Sequence, residues 1–469
     1  MSVENTHFGA VAIADALKNC KSVYFIGIGG INMSSLAHIT HKRGFRVGGS
    51  DRTRSELTER LEGEGIDVNY GHTEDNAKGY DAFVYTVAIS EDNPEYSYAK
   101  RMGRPCISRA DYLGYIMMGY GTRIGISGMH GKSTCTSMCA EVLIACDSSP
   151  TVLSGAELPA MGGAYCLGDS DSFIFEACEY MDSFLDFNPT VAVILNIEMD
   201  HVDYFKSMEQ IRSSFGRFAS ITGETGYAVY NADDANVTAA LAGYSGNRIS
   251  FGIESEDATL RAINITDENG RYGFDILYDQ KPFCHVDLRV SGRYNVYNAL
   301  AAAAACMLAG VSAEDIAEGL GGFCGACRRM EYKGDVNGGE VYDDYGHHPT
   351  EIAATLRGAR AMTEKQLICV YQPHTYSRTA ALFEEFAGAF ECCDKVIFVD
   401  IYAARENNVY GVSSEKLAER IGGKAEYADS FEAAADMLTN EISVGDVAVV
   451  MGAGDVWHVF EHLEYDSEV

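Results

Sequence analysis

The sequence predicts an α/β protein of three successive domains, and three observations predict it. Twice an apolar run ends in a glycine-rich turn and then opens a helix-spaced apolar pattern, at residues 23–40 and 123–146. In the last third, apolar runs again alternate with helical patterns and run into loops of Asp, His, Gln and Arg. The chain is also too long, at 469 residues, for one ordinary core. Alternating strands and helices build parallel sheets covered by helices. The expected architecture is a Rossmann-like N-terminal domain (1–119), a central P-loop ATPase-type parallel sheet with a β excursion (120–325) and a Rossmann-like C-terminal domain (326–469).

In the first domain the strand Val23-Tyr24-Phe25-Ile26 enters the turn Gly27-Ile28-Gly29-Gly30-Ile31-Asn32, and Met33, Leu36, Ala37 and Thr40 follow at helix spacing. Asp51 ends a second short strand over 47–50. Glycines before a helix let backbone N–H groups approach a phosphate, and the acidic residue completes most of a dinucleotide fingerprint. Asn32 stands at that fingerprint's third glycine, so the turn predicts a diphosphate at a helix N-terminus rather than NAD in particular. Strands over 82–87 and 105–108 continue the alternation.

The second domain holds the most informative stretch, Gly128-Met129-His130-Gly131-Lys132-Ser133-Thr134, between the apolar run 123–127 and a helix with apolar Cys135, Met138, Cys139, Val142 and Cys146. Its N–H groups and helix N-terminus form a phosphate cradle, in which Lys132 reaches the outer phosphates and the Ser133 hydroxyl a magnesium ion. Only Met129 and His130 separate the two glycines, against four residues in the standard loop. Two further strand patterns, 173–175 and 191–195, run into Glu176 and into Asn196-Ile197-Glu198-Met199-Asp200-His201. Open parallel sheets bind ligands beyond the carboxyl ends of their strands, so Lys132, Glu176 and His201 converge on one crevice. With magnesium, these are the parts of a phosphoryl-transfer site. Ser133 and Glu176 suit a cation that favours oxygen, with His201 as the third expected ligand. Residues 226–288 read as an antiparallel excursion, after which the turn Gly292-Arg293-Tyr294-Asn295 leads into an alanine-rich helix over 299–308.

The third domain begins with the strand Glu340-Val341-Tyr342, which runs into Asp343-Asp344-Tyr345-Gly346-His347-His348-Pro349-Thr350-Glu351, where Pro349 suits a helix start. A strand over 367–371 runs into Gln372-Pro373-His374-Thr375-Tyr376-Ser377-Arg378, and strands over 396–399 and 447–451 complete a small parallel sheet. Arg378 fits a clamp on carboxylate or phosphate. His347 and His348 are either site residues or exposed turn residues. Arg328 and Arg329, at the domain boundary, either touch nucleotide from a hinge or form a solvated pair.

Composition excludes several classes. A hydrophobic content of 47% with 22% charged residues describes a soluble globular protein. No apolar run reaches the length of a membrane span, and residues 1–19 lack the basic start and apolar core of a signal peptide, so a cytoplasmic protein is expected. A formal net charge of −32 repels nucleic acid and anionic lipid, leaving small molecules as the expected partners. The 14 cysteines read as reduced core residues, and Cys324-Gly325-Ala326-Cys327 lacks the two further ligands of a zinc site. No Ser-His-Asp order or reactive-cysteine context emerges, so ATP-driven chemistry is expected rather than simple hydrolysis.

Together these motifs resemble the Mur ligase family over nearly the whole chain. Residues 27–34 resemble its UDP-binding turn, and 128–134 its ATP loop, with Met129 where threonine or serine is usual. Glu176-Ala177-Cys178-Glu179 and residues 196–201 resemble its metal and ATP segments, and 292–295 the segment whose asparagine contacts adenine. Residues 343–351 and 372–378 resemble signatures of the alanine-adding branch, with Thr375 replacing an arginine of some members. The resemblance implies addition of L-alanine to the lactyl carboxylate of UDP-N-acetylmuramate through an acyl phosphate, in peptidoglycan precursor synthesis. It implies ATP and Mg2+ as cofactors and a monomer or homodimer. Lys132, Glu176, His201, His347 and Arg378 are the implied catalytic residues, with Ser133, Glu176 and His201 on the metal. ATP contacts are implied for Gly128, Met129, His130, Gly131, Lys132, Ser133, Thr134, Asn196, Asn295 and Arg329. Contacts to the UDP-sugar or amino acid are implied for Gly29, Gly30, Met33, Ser34, Asp51, His72, Thr86, Arg109, Tyr345, His347 and Arg378. The nearest alternative is a sibling ligase that adds a preformed peptide. A nicotinamide oxidoreductase built on residues 27–51 leaves Lys132, Glu176 and His201 without a role, and their joint presence also argues against a non-catalytic precursor sensor.

Overall fold

The computed structural model describes residues 3–201, 204–404 and 406–466. Met1 and Ser2 of the segment read for a leader, and residues 467–469 at the end of the third expected domain, lie outside the described residues. Three sheets follow one another along the chain. The first has five parallel strands in the order Asp67–Tyr70, Arg46–Asp51, Ser22–Ile26, Ala82–Tyr85 and Cys106–Ser108. Chain order reverses beside Ser22–Ile26, which puts the glycine turn and the helix Ile31–Lys42 at the switch point where such sheets bind ligands. The turn is folded against its neighbours: Gly27 and Ile28 N–H donate to the Ser50 carbonyl. A Cβ on Gly49 would stand 2.5 Å from the Phe25 carbonyl oxygen and 2.7 Å from Ile28 Cδ1.

The central sheet has ten strands, with Thr122–Ser127 between Val191–Ile194 and Ser172–Glu176. Their apolar runs are buried on both faces, which is why they read as continuous rather than alternating patterns. The expected antiparallel excursion begins later than the sequence reading placed it. Tyr227–Asn231 and Asn247–Gly252 extend the parallel sheet, and within the stretch read as the excursion antiparallel pairing begins at Leu260–Glu268. The six-residue helix Ala235–Ala240, capped by Asp234, makes the parallel crossover and is too short to show a helical period. The alanine-rich helix likewise starts earlier, at Tyr294, and Ala299–Ala305 is wholly buried against the helix Lys132–Ala145. All 14 cysteines are free thiols.

The C-terminal sheet runs Arg329–Val336, Gly339–Asp344, Val447–Met451, Leu367–Tyr371, Lys395–Phe398 and Ala425–Tyr427, parallel except for its first strand. Among the described residues no helix is long and apolar enough to cross a membrane.

Adding a methyl group at Gly49 forces either the Phe25 carbonyl or the Ile28 side chain to move, and such overpacking costs about 1–3 kcal/mol. Gly49→Ala is expected to lower the melting temperature by several degrees in differential scanning calorimetry. An unchanged midpoint would show that this contact yields freely.

Candidate active site

The phosphate loop is shaped by two glycines. Gly131 has φ 82° and Gly128 φ 140°, and a Cβ on Gly131 would stand 2.5 Å from Asn298 Oδ1. Asn196 holds the loop from the next strand, its Oδ1 accepting His130 N–H at 2.8 Å while its Nδ2 donates to the His130 carbonyl at 2.9 Å. Both ends of the Asn196 side chain are thus committed to loop backbone. Asn295, on the wall of the cleft, donates to the Ser291 carbonyl and accepts from Asn298. Lys132 Nζ folds back on the carbonyls of Gly128 (2.5 Å) and Met129 (3.2 Å). Met129 is buried and supplies that carbonyl, so its side chain packs inward.

The carboxylate beside Lys132 is Glu179, not the expected Glu176. Fully buried Glu179 accepts from Lys132 Nζ at 3.1 Å and lies 3.1 Å from His201 Nε2. Glu176, at the strand end, instead accepts from Gly155 N–H and, at 3.5 Å, from Ser154 Oγ, and acts on Lys132 only at longer range. The chain needs three more residues to carry a carboxylate around the strand end; left-handed Met181 and Asp182 then turn it away. Burial pulls the Lys132 ammonium toward neutrality, but Glu179 outweighs it and holds the pKa above the usual value. Glu179 is held ionised by the same partners against its own burial.

From the C-terminal domain, Arg329 reaches Ser133 Oγ at 3.4 Å, and its buried Nε has no partner among the described residues. Arg328 instead pairs with Asp343 and donates to the Gly452 carbonyl. The adjacent arginines therefore diverge, and the hinge reading fits Arg329. Both guanidinium groups lie about 5 Å from the Tyr345 ring, at 5.1 and 5.2 Å. His347 Nδ1 lies 3.2 Å from the Tyr345 carbonyl, and burial pushes its pKa down to about 4, so the ring is neutral. Arg378 donates to Asp200 at 3.5 Å and lies 3.4 Å from His374 Nδ1. Asp200 is driven down to about 2, because His201 and Arg378 overcome the effect of its burial.

A polar seam joins the two domains beside the phosphate loop. His130 lies between Glu198 (3.4 Å) and Glu351 (3.2 Å), and Thr350 Oγ1 donates to Glu198 at 2.7 Å. Burial alone would lower the His130 pKa, but the two carboxylates raise it to about 9. Ligand atoms of His130, Glu198 and His348 lie within 4.8 Å of one another, as in a metal centre. However, His348 Nδ1 accepts the Thr350 N–H, so the neutral ring carries its proton on Nε2 and has no lone pair for a metal there. The trio is a proton-bearing contact. The cleft beside it measures about 1910 Å³, against roughly 300–1,000 Å³ for a single ligand pocket.

In the N-terminal domain Asp51 Oδ2 accepts the Gly29 N–H at 2.8 Å, so this carboxylate fastens the turn. Gly30 adjoins the turn, whereas Met33 and Ser34 are buried. Ser34 Oγ donates to the Ile31 carbonyl and its N–H to the Gly30 carbonyl, which commits both of its donors. The uncommitted donors are the N–H groups that begin the helix, at Ile31, Asn32 and Met33. Thr86 packs over Gly27, where a Cβ would stand 2.8 Å from Thr86 Cγ2. Arg109 makes no ion pair or hydrogen bond among the described residues, and Cys178, beside Glu179, feels its charge. His72 is held by Ser50 and Glu95. Sequence reasoning did not single out Glu179, Glu198 or Glu351 as site residues, although each lies inside a motif it quoted.

Family models match all three parts: "Mur ligase family, catalytic domain" over residues 22–120, "Mur ligase middle domain" over 126–306 and "Mur ligase, glutamate ligase domain" over 328–454. A UDP-N-acetylmuramate–L-alanine ligase of Acetivibrio thermocellus is 45% identical over 453 residues, 96% of this chain and 97% of the relative. One of Caldicellulosiruptor saccharolyticus is 45% identical over 437 residues, 92% and 96% of the two chains. The crystal structure of a UDP-N-acetylmuramate–alanine ligase from Thermotoga maritima superposes with TM-score 0.78 at 26% identity, covering 94% of this chain and 97% of that one. A murein peptide ligase from Psychrobacter arcticus shares the fold at TM-score 0.71 and 22% identity, covering 96% and 100%.

Glu179→Gln strips the buried Lys132 of its counter-charge, a change of about 3–5 kcal/mol for such pairs. Turnover in an ADP-release assay is expected to fall at least about 100-fold, while Glu176→Gln stays within about tenfold of wild type. Equal losses would return the role to Glu176.

The seam gives a pH dependence of fixed sign. The folded pKa of His130 exceeds its free value, so its proton stabilises the closed pair fully below about 6.5 and is lost as pH rises through about 9. Interdomain distance, read by fluorescence transfer between labels on the central and C-terminal domains, is expected to increase over that upper range. His130→Gln should abolish the pH dependence; its persistence would assign it to another group.

Proposed function

This chain belongs to the Mur ligase family, and we propose that it is the ATP-dependent ligase that joins L-alanine to the lactyl carboxylate of UDP-N-acetylmuramate in peptidoglycan precursor synthesis. Near-complete coverage at 45% identity to relatives of that activity carries the reading. The site supports it, because the phosphate loop residues His130, Gly131 and Thr134 and the C-terminal domain's Arg329, Thr350 and Glu351 line one cleft.

The carboxylate of the UDP-sugar attacks the γ-phosphorus of ATP, ADP leaves, and an acyl phosphate forms. The amine of L-alanine then attacks the acyl carbon, and the tetrahedral intermediate expels phosphate to leave an amide. Lys132 offsets charge on the transferred phosphoryl group, and the uncommitted Nε–H of Arg329 is placed to do the same from the opposite domain. Ser133, Glu179 and His201 are the donor set for Mg2+. A fully buried, ionised carboxylate beside a hydroxyl-bearing helix start fits a cation that prefers oxygen. When bound, that cation supplies further charge offset along the phosphates.

The amino acid sits among Tyr345, His347 and Arg378. Arg378 receives its carboxylate, drawn from its hold on Asp200. His347 donates Nδ1–H to the Tyr345 carbonyl, so Nε2 carries a lone pair on a ring that is neutral at pH 7. That nitrogen can accept a hydrogen bond from the alanine ammonium and so orient it beside the acyl carbon. Arg109, which makes no ion pair or hydrogen bond among the described residues, receives anionic oxygens of the UDP-sugar.

ADP release is expected to require UDP-N-acetylmuramate and L-alanine together, with a product heavier than the UDP-sugar by one alanyl residue in mass spectrometry. Lys132→Ala should lower turnover by at least about 100-fold. Activity with a preformed tripeptide and none with L-alanine would transfer the chain to the peptide-adding siblings.

A further inference from the structure

Arg378 stands on a strained base. Its loop, 372–378, leaves the strand Leu367–Tyr371, passes through Thr375 at φ 66° and enters the six-residue helix Tyr376–Ala381. A β-branched residue stays in the left-handed region only where surrounding contacts hold it there. Those contacts come from the loop that leaves the neighbouring parallel strand, Lys395–Phe398. Thr375 N–H donates to the Tyr402 carbonyl at 2.9 Å, and Tyr402 N–H donates to the Pro373 carbonyl at 2.9 Å. The Tyr402 ring stacks on His374 with centroids 5.5 Å apart. Further along the same loop, half-buried Glu406 takes both donors of Ser377, the N–H at 2.8 Å on Oε2 and the Oγ–H at 2.5 Å on Oε1. From the other side Gln372 is held by the loop after Val447–Met451, donating to Asp455 at 2.7 Å and accepting the Val456 N–H at 3.1 Å.

We propose that Glu406 is a positioning residue for amino-acid binding: by holding both donors of Ser377 it fixes the backbone from which Arg378 reaches the amino-acid carboxylate. This rests on the reading of Arg378 as the group that receives that carboxylate. Glu406 acts through Ser377 and Arg378 rather than on the substrate. Its two oxygens accept from one residue at once, and hydrogen bonds to a charged acceptor are roughly twice as strong as neutral ones. The same loop also steadies the guanidinium itself. Arg378 Nη1 lies 3.4 Å from Nδ1 of His374, the ring on which Tyr402 stacks. Burial and the Arg378 charge push the His374 pKa down to about 4 against the pull of Glu406, so the ring is neutral and Nδ1 accepts. A guanidinium fork recognises a carboxylate only when aligned with it, and a misplacement of about 1 Å can cost a reaction about 100-fold.

The test is steady-state ADP release by the full chain, with each substrate varied in turn. Glu406→Ala is expected to raise KM for L-alanine about tenfold, the scale of a hydrogen bond to a charged group. The kcat value and the KM values for ATP and UDP-N-acetylmuramate should stay within about twofold of wild type, because the lost contact is to the carboxylate and not to the reacting atoms. Ser377→Ala removes one of the two donors and should raise KM for L-alanine by a smaller factor. The Ser377→Ala, Glu406→Ala double variant should do no more than Glu406→Ala alone, because the two residues act as one unit. Glu406→Gln, whose amide can meet both groups of Ser377 without the charge, should lie between wild type and Glu406→Ala; with Ser377→Ala it carries the comparison if the alanine variant at 406 does not fold. Losses that multiply in the double variant, or equal rises in all three KM values, would overturn the proposal. Arg378→Lys keeps the charge but not the fork. If it leaves KM for L-alanine unchanged, the amino-acid reading of Arg378 falls as well. A raised KM in Arg378→Lys, with Glu406→Ala at the wild-type value, would sink the positioning role alone.

Discussion

A lysine ammonium buried at a helix start has to be matched by a carboxylate, and in this chain Glu179 provides the match. That single pair fixes much else. Lys132 can sit at the start of its helix only because Gly131 takes a left-handed conformation that clears Asn298. Glu179 reaches it from the loop that leaves the strand Ser172–Glu176, and two consecutive left-handed residues, Met181 and Asp182, then turn the chain away. His201, itself at φ 49°, closes the triangle from the next strand. Strained residues gather at such a point because surrounding contacts over-determine them. Thr375, a β-branched residue at φ 66° in the Arg378 loop, is another.

The same logic of matched charge extends across the domains. Glu198, Asp200 and Glu351 are matched by His130, Arg378 and Thr350 from opposite sides of the cleft. The seam is therefore a set of exchangeable contacts rather than an apolar weld. Arg378 and Arg329 each hold a partner that a substrate carboxylate or a phosphate can replace at similar hydrogen-bond strength. Closure and ligand binding then draw on the same groups, which is how a multi-substrate site couples domain motion to chemistry.

How far the sequence could be read follows from which signals are local. Three α/β sheets were legible because buried parallel strands are continuous apolar runs and their glycine turns have fixed spacing. The phosphate loop was legible for the same reason. Glu176 was a natural expectation for the carboxylate because it ends a strand, but the strand end does not say how far the chain must travel before it faces Lys132. Glu179, three residues on, stands just before a left-handed turn at Met181 and Asp182 that no sequence period announces. The parallel strands Tyr227–Asn231 and Asn247–Gly252 were read as antiparallel because their crossover helix has only six residues. Pairings such as His130 with Glu351 or Thr350 with Glu198 join residues more than 150 positions apart, and no local pattern encodes them.

The overall charge of −32 sharpens the meaning of the few cations in the cleft. A strongly acidic surface repels a nucleotide and a nucleotide sugar at long range, but at about 0.15 M salt that repulsion is screened beyond roughly 8 Å. What decides binding is therefore the local arrangement within that distance. There Lys132, Arg109 and Arg329 stand in low-dielectric surroundings that strengthen their fields. Of these, Arg109 makes no ion pair or hydrogen bond among the described residues, and Arg329 keeps an unbonded Nε–H. A half-buried cation such as Arg109, with no paired carboxylate among the described residues, destabilises the empty state, and an anionic ligand relieves that penalty on binding. The acidic exterior and the cationic cleft are thus compatible: the first acts weakly at range, and the second acts strongly where phosphate and carboxylate must be held.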